Sequence, residues 1–154
     1  MGIDRIHWDG EHYQAYPFTT TTRRNYLTDE SANGAFYIRN SDWSESAYTC
    51  DYVWVNYTIE APYCGDIFLR GQWTNNADET AYLLRYDADR QCYQTQIMQK
   101  QGYYSYQYVN KEGKTAPTEG NFFQTRNKYQ VLVYYKELGG RTWRLVGYRG
   151  LDAR

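Results

Sequence analysis

The clearest pattern in the sequence is an alternation, residue by residue, of side chains expected in a core with side chains expected to face outward. It begins just after Cys50. The stretch DYVWVNYTI places Val53, Val55, Tyr57 and Ile59 on one side and Tyr52, Trp54, Asn56 and Thr58 on the other. Successive side chains of a β-strand point to opposite faces, so this alternation predicts a half-buried strand. Trp54 is then expected to point outward.

Six further short runs follow, and turn residues close each of them. They read DIFLRG, AYLLRYDADRQ, CYQTQIMQ, QGYYSYQYVN, KYQVLVYYK and TWRLVGY. Short strands separated by turn signals are typical of an antiparallel β-sandwich. We therefore predict an all-β fold, with an immunoglobulin-like antiparallel sandwich over residues 49–154.

Residues 1–48 differ from the rest because they carry few aliphatic side chains. HWDGEHYQAYPF predicts a hairpin around an Asp-Gly turn, and Asn33-Gly34 predicts a turn before a strand over 35–39. So few core residues are not expected to form a hydrophobic core alone. We interpret this segment as an N-terminal β extension.

Tyrosine is the outlier in the composition, at 19 of 154 residues. In QGYYSYQYVN, Tyr104, Tyr106 and Tyr108 share one side of the predicted strand, and the opposite side is more polar. These three rings are predicted to point inward, with hydroxyls at the margin of the core. Tyr103 is predicted to face outward beside the Gly102 turn.

Charge and cysteine content exclude several classes of protein. The formal net charge is −1, so no basic nucleic-acid-binding surface is expected. No run is long enough to predict a transmembrane helix, and the N-terminus lacks the apolar region of a signal peptide. Cys50, Cys64 and Cys92 show no zinc-binding spacing and are interpreted as ordinary thiols.

Sequence motifs of catalysis and cofactor binding are absent. The chain has no nucleophile elbow, no P-loop and no dinucleotide-binding glycine motif. His7, Asp9, Glu11 and His12 lie close together, but their spacing matches no metal cage. Asp87 and Asp89 lie in a predicted turn, where Asp is common for backbone reasons. We therefore predict no enzyme activity, cofactor or metal site.

Two resemblances add to this interpretation. The segment from Gly71 and Trp73 to Gly102 and the alternating tyrosines resembles the early-set domain of glycogen- and starch-binding proteins. The resemblance implies Trp73, Asn76 and Tyr103 as carbohydrate-binding candidates. However, Asn76 occupies the place of a platform tryptophan and Trp73 that of a core aromatic, so weak or no binding to starch-like glucans is expected.

A longer resemblance covers nearly the whole chain. DRIHWDGEHYQAY, DYVWVNYTI, KQGYYSYQYV and EGNFFQTRNKYQVLVYYK resemble the C-terminal part of the type IX secretion plug family of Bacteroidota, long catalogued as a domain of unknown function. That resemblance implies a periplasmic or outer-membrane-associated protein that docks on the translocon barrel. It also implies that residues 1–48 are the tail of a preceding domain of a longer parent chain.

The sequence therefore predicts a non-catalytic protein-binding module. The interface candidates are Tyr52 and Trp54 on one strand face, together with Tyr103. Aromatic residues anchor many interfaces, although residues 1–48 could instead cover Trp54. The alternatives are a carbohydrate-binding module and a purely structural domain of a surface lipoprotein, and the contact surface and oligomeric state stay open.

Overall fold

The structure is a computed structural model that describes residues 2–26, 32, 34–40, 46–74, 79–112, 114, 120 and 122–153. Its described residues are mainly β-strand, with one short α-helix, α1 (Ser46–Thr49), and two single-turn 3-10 helices (Gln72–Thr74 and Glu79–Tyr82), so the predicted all-β class is confirmed. The strands are β1 (Ile3–Trp8), β2 (Tyr13–Pro17), β3 (Phe36–Ile38), β4 (Tyr52–Glu60), β5 (Ile67–Arg70), β6 (Leu83–Asp87), β7 (Cys92–Lys100), β8 (Gly102–Tyr104), β9 (Gln107–Asn110), β10 (Asn127–Tyr135) and β11 (Arg144–Ala153). Six of the seven strands predicted after residue 50 are each present as one strand.

The chain divides into two compact units, residues 1–120 and 121–154. In the first unit, seven strands form one sheet in the order β1-β2-β4-β7-β6-β5-β9, and β3 pairs with β8 in a separate sheet. The central pairing is antiparallel and joins β4 to β7 over nine residues, from Tyr52 opposite Lys100 to Glu60 opposite Cys92. This pairing fixes which side chains of both strands share a face.

One hydrophobic core lies inside the first unit. It contains Val55, Tyr57 and Ile59 of β4, Ile67 and Leu69 of β5, Leu84 of β6, Tyr93 of β7 and Tyr108 of β9, together with Ala15 and Ala61. Three strands, β7, β6 and β5, lie between β4 and β9 in the sheet order, yet both β4 and β9 contribute to this one cluster. The sheet therefore folds over itself and encloses the core in a sandwich-like manner.

The tyrosine-rich stretch is two strands, so the prediction of one continuous strand was wrong. β8 pairs with β3, β9 pairs with β5, and Ser105 lies at the change of partner. The Ser105 N–H donates to the Ala35 carbonyl at 2.9 Å. A Cβ at Gly71 would lie 2.7 Å from the Ser105 carbonyl oxygen and 2.5 Å from Trp73 Nε1, so only glycine allows this close approach.

Of the three tyrosines predicted to point inward, Tyr108 belongs to the core and Tyr106 packs against it. Tyr108 is fully buried, and Tyr106 packs between Tyr57 and Tyr108 with ring centroids 4.9 and 5.6 Å away. Tyr104 is half-buried, and its hydroxyl donates to the Lys100 carbonyl at 2.7 Å. The predicted exposure of Tyr103 is confirmed.

Buried phenols in this core have polar partners. The Tyr57 hydroxyl donates to Gln99 Oε1 at 2.6 Å, and the Tyr93 hydroxyl donates to the Gly65 carbonyl at 2.9 Å. Burial raises the pKa of both Tyr57 and Tyr108 well above the usual range. These phenols are therefore neutral at physiological pH and available as hydrogen-bond donors.

Strands from residues 1–48 pair with strands of the predicted sandwich region. β2 runs parallel to β4, and Thr20 forms a parallel bridge to Ile59. The predicted hairpin around Asp9-Gly10 is present as β1 and β2, and the predicted strand after Gly34 is β3. Asn33 lies outside the described residues. The predicted domain boundary at residue 48 stays a prediction. The division into compact units falls between residues 120 and 121 of the chain.

The second unit contains one antiparallel hairpin, β10–β11, with a bulge between Val133 and Tyr134. The large apolar side chains of these two strands are each 45–63% exposed, and they are Tyr129, Val131, Leu132, Val133, Tyr134, Tyr135, Leu145, Val146, Tyr148 and Leu151. Both faces of the hairpin carry them, since Tyr129 pairs with Leu151 and Leu132, three positions later and so on the opposite face, pairs with Tyr148. An isolated two-stranded hairpin is marginally stable in water.

The described part of the chain contains no helix long and apolar enough to cross a membrane.

The Tyr57–Gln99 bond provides a test of the core. Gln99 is buried, and its Nε2 has no hydrogen-bond partner among the described residues. Tyr57→Phe leaves the whole amide unpaired, so we expect a loss of about 1–3 kcal/mol in the free energy of unfolding, measured with urea. Adding Gln99→Met should restore part of the loss, and Tyr103→Phe on the surface should cost almost nothing. A Tyr57→Phe protein as stable as the parent would contradict this account.

Candidate functional site

The candidate site lies on the solvent side of the sheet formed by β2, β4 and β7. Since Val55, Tyr57 and Ile59 point into the core, the alternate residues of β4 point away from it. The register places three of them directly opposite residues of β7, namely Tyr52 opposite Lys100, Trp54 opposite Met98 and Asn56 opposite Gln96. These six residues, with Gln14 of β2 beside Trp54, are called the outer strip below.

The aromatic end of the outer strip contains Tyr52 and Trp54. The Tyr52 side chain is exposed, and Lys100 Nζ lies 5.5 Å from its ring centroid. Trp54 is half-buried between its strand neighbours Gln14 and Met98. The segment 1–48 thus flanks Trp54 as the next strand of the sheet. Both residues take the outward orientation that the alternation predicts, and their role in binding stays a prediction.

A cluster of side-chain amides forms the other end of the outer strip. Asn56 Nδ2 donates to Gln14 Oε1 at 3.0 Å, and Gln96 Nε2 donates to Gln14 Oε1 at 3.0 Å and to Asn56 Oδ1 at 3.1 Å. Gln14 Nε2 in turn donates to Asp9 Oδ2 at 2.7 Å. These bonds join three strands and fix the orientation of each amide.

Asp9 connects this cluster to the β1–β2 turn. Its Oδ1 accepts the backbone N–H of His12 at 2.8 Å and that of Glu11 at 2.9 Å. These two bonds, followed by the Gln14 amide, lower the pKa of the Asp9 carboxyl to about 2. His7, Asp9, Glu11 and His12 thus lie around a turn that Asp9 stabilises, and no group of three potential metal ligands occurs among the described residues.

Tyr103, the third predicted interface residue, lies on the β3–β8 sheet. It pairs with Tyr37, and both side chains are exposed. Burial raises the pKa of its neighbour Tyr104. The Tyr104 hydroxyl donates to the carbonyl of Lys100, the residue that pairs with Tyr52, so Tyr52 lies close to the strand that carries Tyr103, although the two residues belong to different sheets.

Two of the three residues implied by the glucan-binding resemblance are described, and they differ in burial. Trp73 packs against the core, with ring centroids of Tyr82 and Tyr104 each 5.5 Å away at steep angles. Its Nε1 is buried and has no partner among the described residues. Tyr103 is exposed. Asn76 lies outside the described residues.

Comparison with known proteins provides a structural relative. No protein-family model matches the sequence, and no curated protein matches it. The crystal structure of a hypothetical protein from Parabacteroides merdae is similar over 99% of this chain, with 30% sequence identity and a TM-score of 0.88. This chain spans 41% of that protein's length. The relative supports the all-β architecture.

Titration of Asp9 tests the geometry at the edge of the outer strip. We expect an NMR midpoint near 2, well below the ordinary value of 3.8. The ionised carboxylate then stabilises the fold above about pH 3.8, and that contribution is lost as the pH falls through about 2. Gln14→Ala should raise the midpoint, whereas Gln96→Ala, which removes no bond to Asp9, should leave it unchanged. A midpoint near 3.8 in the parent protein would contradict the described turn.

Proposed function

We propose that this chain is a non-catalytic protein-interaction module with an immunoglobulin-like sandwich. In this proposal it belongs to a periplasmic plug-like subunit that docks on the outer-membrane barrel of a type IX translocon. The partner follows from the family resemblance of the sequence. The mode of binding follows from the outer strip, where Trp54, Tyr52 and Met98 lie on one sheet face.

The aromatic residues and the methionine of the outer strip are the observation that supports the proposal. Aromatic residues and Met are enriched in the centres of protein interfaces, and Trp and Tyr are common among the residues that dominate binding energy. Met98 and Tyr52 are exposed, and Trp54 between them retains partial exposure. The amide cluster holds the adjacent strands in a fixed arrangement, so little order has to be gained on binding.

A purified translocon barrel in detergent is the partner for the test. Immobilised barrel should bind this chain in biolayer interferometry, and Trp54→Ala should weaken the affinity about 10-fold or more, because a buried interface anchor is lost. Tyr48→Ala is the matched control, since Tyr48 is an exposed aromatic residue on α1 that is not part of the outer strip. If Trp54→Ala left both the fold and the association unchanged, the outer strip would not be the docking surface.

Carbohydrate binding is the second candidate function, and the amide cluster is the observation that favours it. Planar amides beside an aromatic ring can pair with sugar hydroxyls while the ring stacks on the sugar. Such a site would use Trp54 and Gln14, with Trp73 in the core. Affinity electrophoresis in glycogen separates the two functions. The docking proposal predicts no retardation, and saturable retardation that Trp54→Ala abolishes would favour carbohydrate binding.

A further inference from the structure

The two compact units carry opposite charge. Residues 121–154 contain seven Lys or Arg and two Asp or Glu, a net charge of +5. Residues 1–120 contain ten Lys or Arg and sixteen Asp or Glu, a net charge of −6. The formal net charge of −1 for the whole chain is the sum of these two opposite charges. Oppositely charged surfaces attract each other and orient an encounter between proteins.

The hairpin β10–β11 combines this positive charge with two exposed apolar faces. Tyr129, Val131 and Val133 share one face, and Leu132 and Tyr148 lie on the other. Together its half-exposed apolar side chains offer on the order of 1,000 Å² over both faces, so a single face offers about 500 Å², less than the roughly 800 Å² that each partner buries in a standard interface. Two reciprocal contacts are therefore needed to reach the size of a standard interface.

A complementary surface exists at the edge of the first unit. β1 is the terminal strand of the seven-stranded sheet, so one of its edges is unpaired within that sheet. Its residues Ile3, Ile6 and Trp8 are exposed apolar side chains. Asp4 and Arg5 balance each other within the strand, and the negative charge comes from Asp9 and Glu11 in the turn that follows it. An unpaired edge with exposed apolar side chains readily accepts another strand.

We propose that the β10–β11 hairpin of one copy docks on the β1 edge of a second copy, and that the exchange is reciprocal. Contact between two hairpins is disfavoured because residues 127–153 of each copy contain five Lys or Arg and two Asp or Glu, a net charge of +3. Contact between a hairpin and the acidic unit of another copy is attractive, and two such contacts close a symmetric dimer. The proposal does not depend on the translocon partner or on the outer strip.

Sedimentation velocity on the 154-residue chain tests this dimer directly. We expect a monomer–dimer equilibrium whose dissociation constant rises about 10-fold or more between about 50 mM and about 500 mM salt, because salt screens the attraction. This measurement needs no variant and is therefore independent of any folding defect. A monomer at every concentration, or a dimer indifferent to salt, would overturn the proposal.

Two pairs of variants locate the contact. Lys128→Glu with Arg149→Glu should weaken the dimer at least 10-fold, whereas the charge-conserving pair Lys128→Arg with Arg149→Lys should not. Ile6→Lys on β1 should weaken it similarly, whereas Tyr48→Lys adds the same charge elsewhere and should have little effect. Equal affinity within either pair would overturn the assigned contact. Binding of a monomeric chain to anionic vesicles would also overturn it, in favour of a lipid surface.

Discussion

The pairing of β4 with β7 is the constraint on which the rest of the first unit depends. Its nine-residue register directs Val55, Tyr57 and Ile59 to the core, and the same register turns Tyr52, Trp54 and Asn56 to the other side. A shift by one residue would exchange the two sets and would expose the core residues to water. The hydrophobic burial that stabilises the fold therefore also determines the surface available for binding.

Tyrosine performs two tasks in this architecture. Inside the first unit, Tyr57 and Tyr93 bury their rings while their hydroxyls reach Gln99 and the Gly65 carbonyl. A Val or Ile at these positions would fill less of the space between the layers and could not satisfy those acceptors. On the surface, Tyr52 and Tyr103 present the same amphipathic ring to solvent or to a partner. The high tyrosine content is thus explained by a small core with polar edges and by aromatic surfaces.

The sequence predicted local features well because period-two alternation and turn residues act over a few positions. The β1–β2 hairpin, the strands after Cys50 and the burial of Tyr108 follow from such signals. The change of partner at Ser105 was missed because it depends on Ala35, seventy positions earlier in the chain. The outward orientation of Trp54 was predictable, and its neighbours Gln14 and Met98 were not.

Contacts between residues far apart in the chain could not be predicted from the sequence, because alternation and turn residues report on a few neighbouring positions only. The amide cluster joins Gln14, Asn56 and Gln96, which come from three strands, and each residue alone is an ordinary polar position on a strand. The division of charge between residues 1–120 and 121–154 became apparent when the compact units were known. The interface role proposed for Tyr52, Trp54 and Tyr103 rests on exposure and chemistry, since the resemblance alone names no contact surface.

The register of β4 against β7 can be measured by NMR with methyl-labelled methionine. The account predicts nuclear Overhauser contacts from the Met98 methyl group to the Trp54 indole ring, since these residues are cross-strand neighbours on the outer strip. Contacts from the Met98 methyl group to Val53 or Val55 in place of Trp54 would mean a register shifted by one residue. That result would contradict both the core and the candidate site.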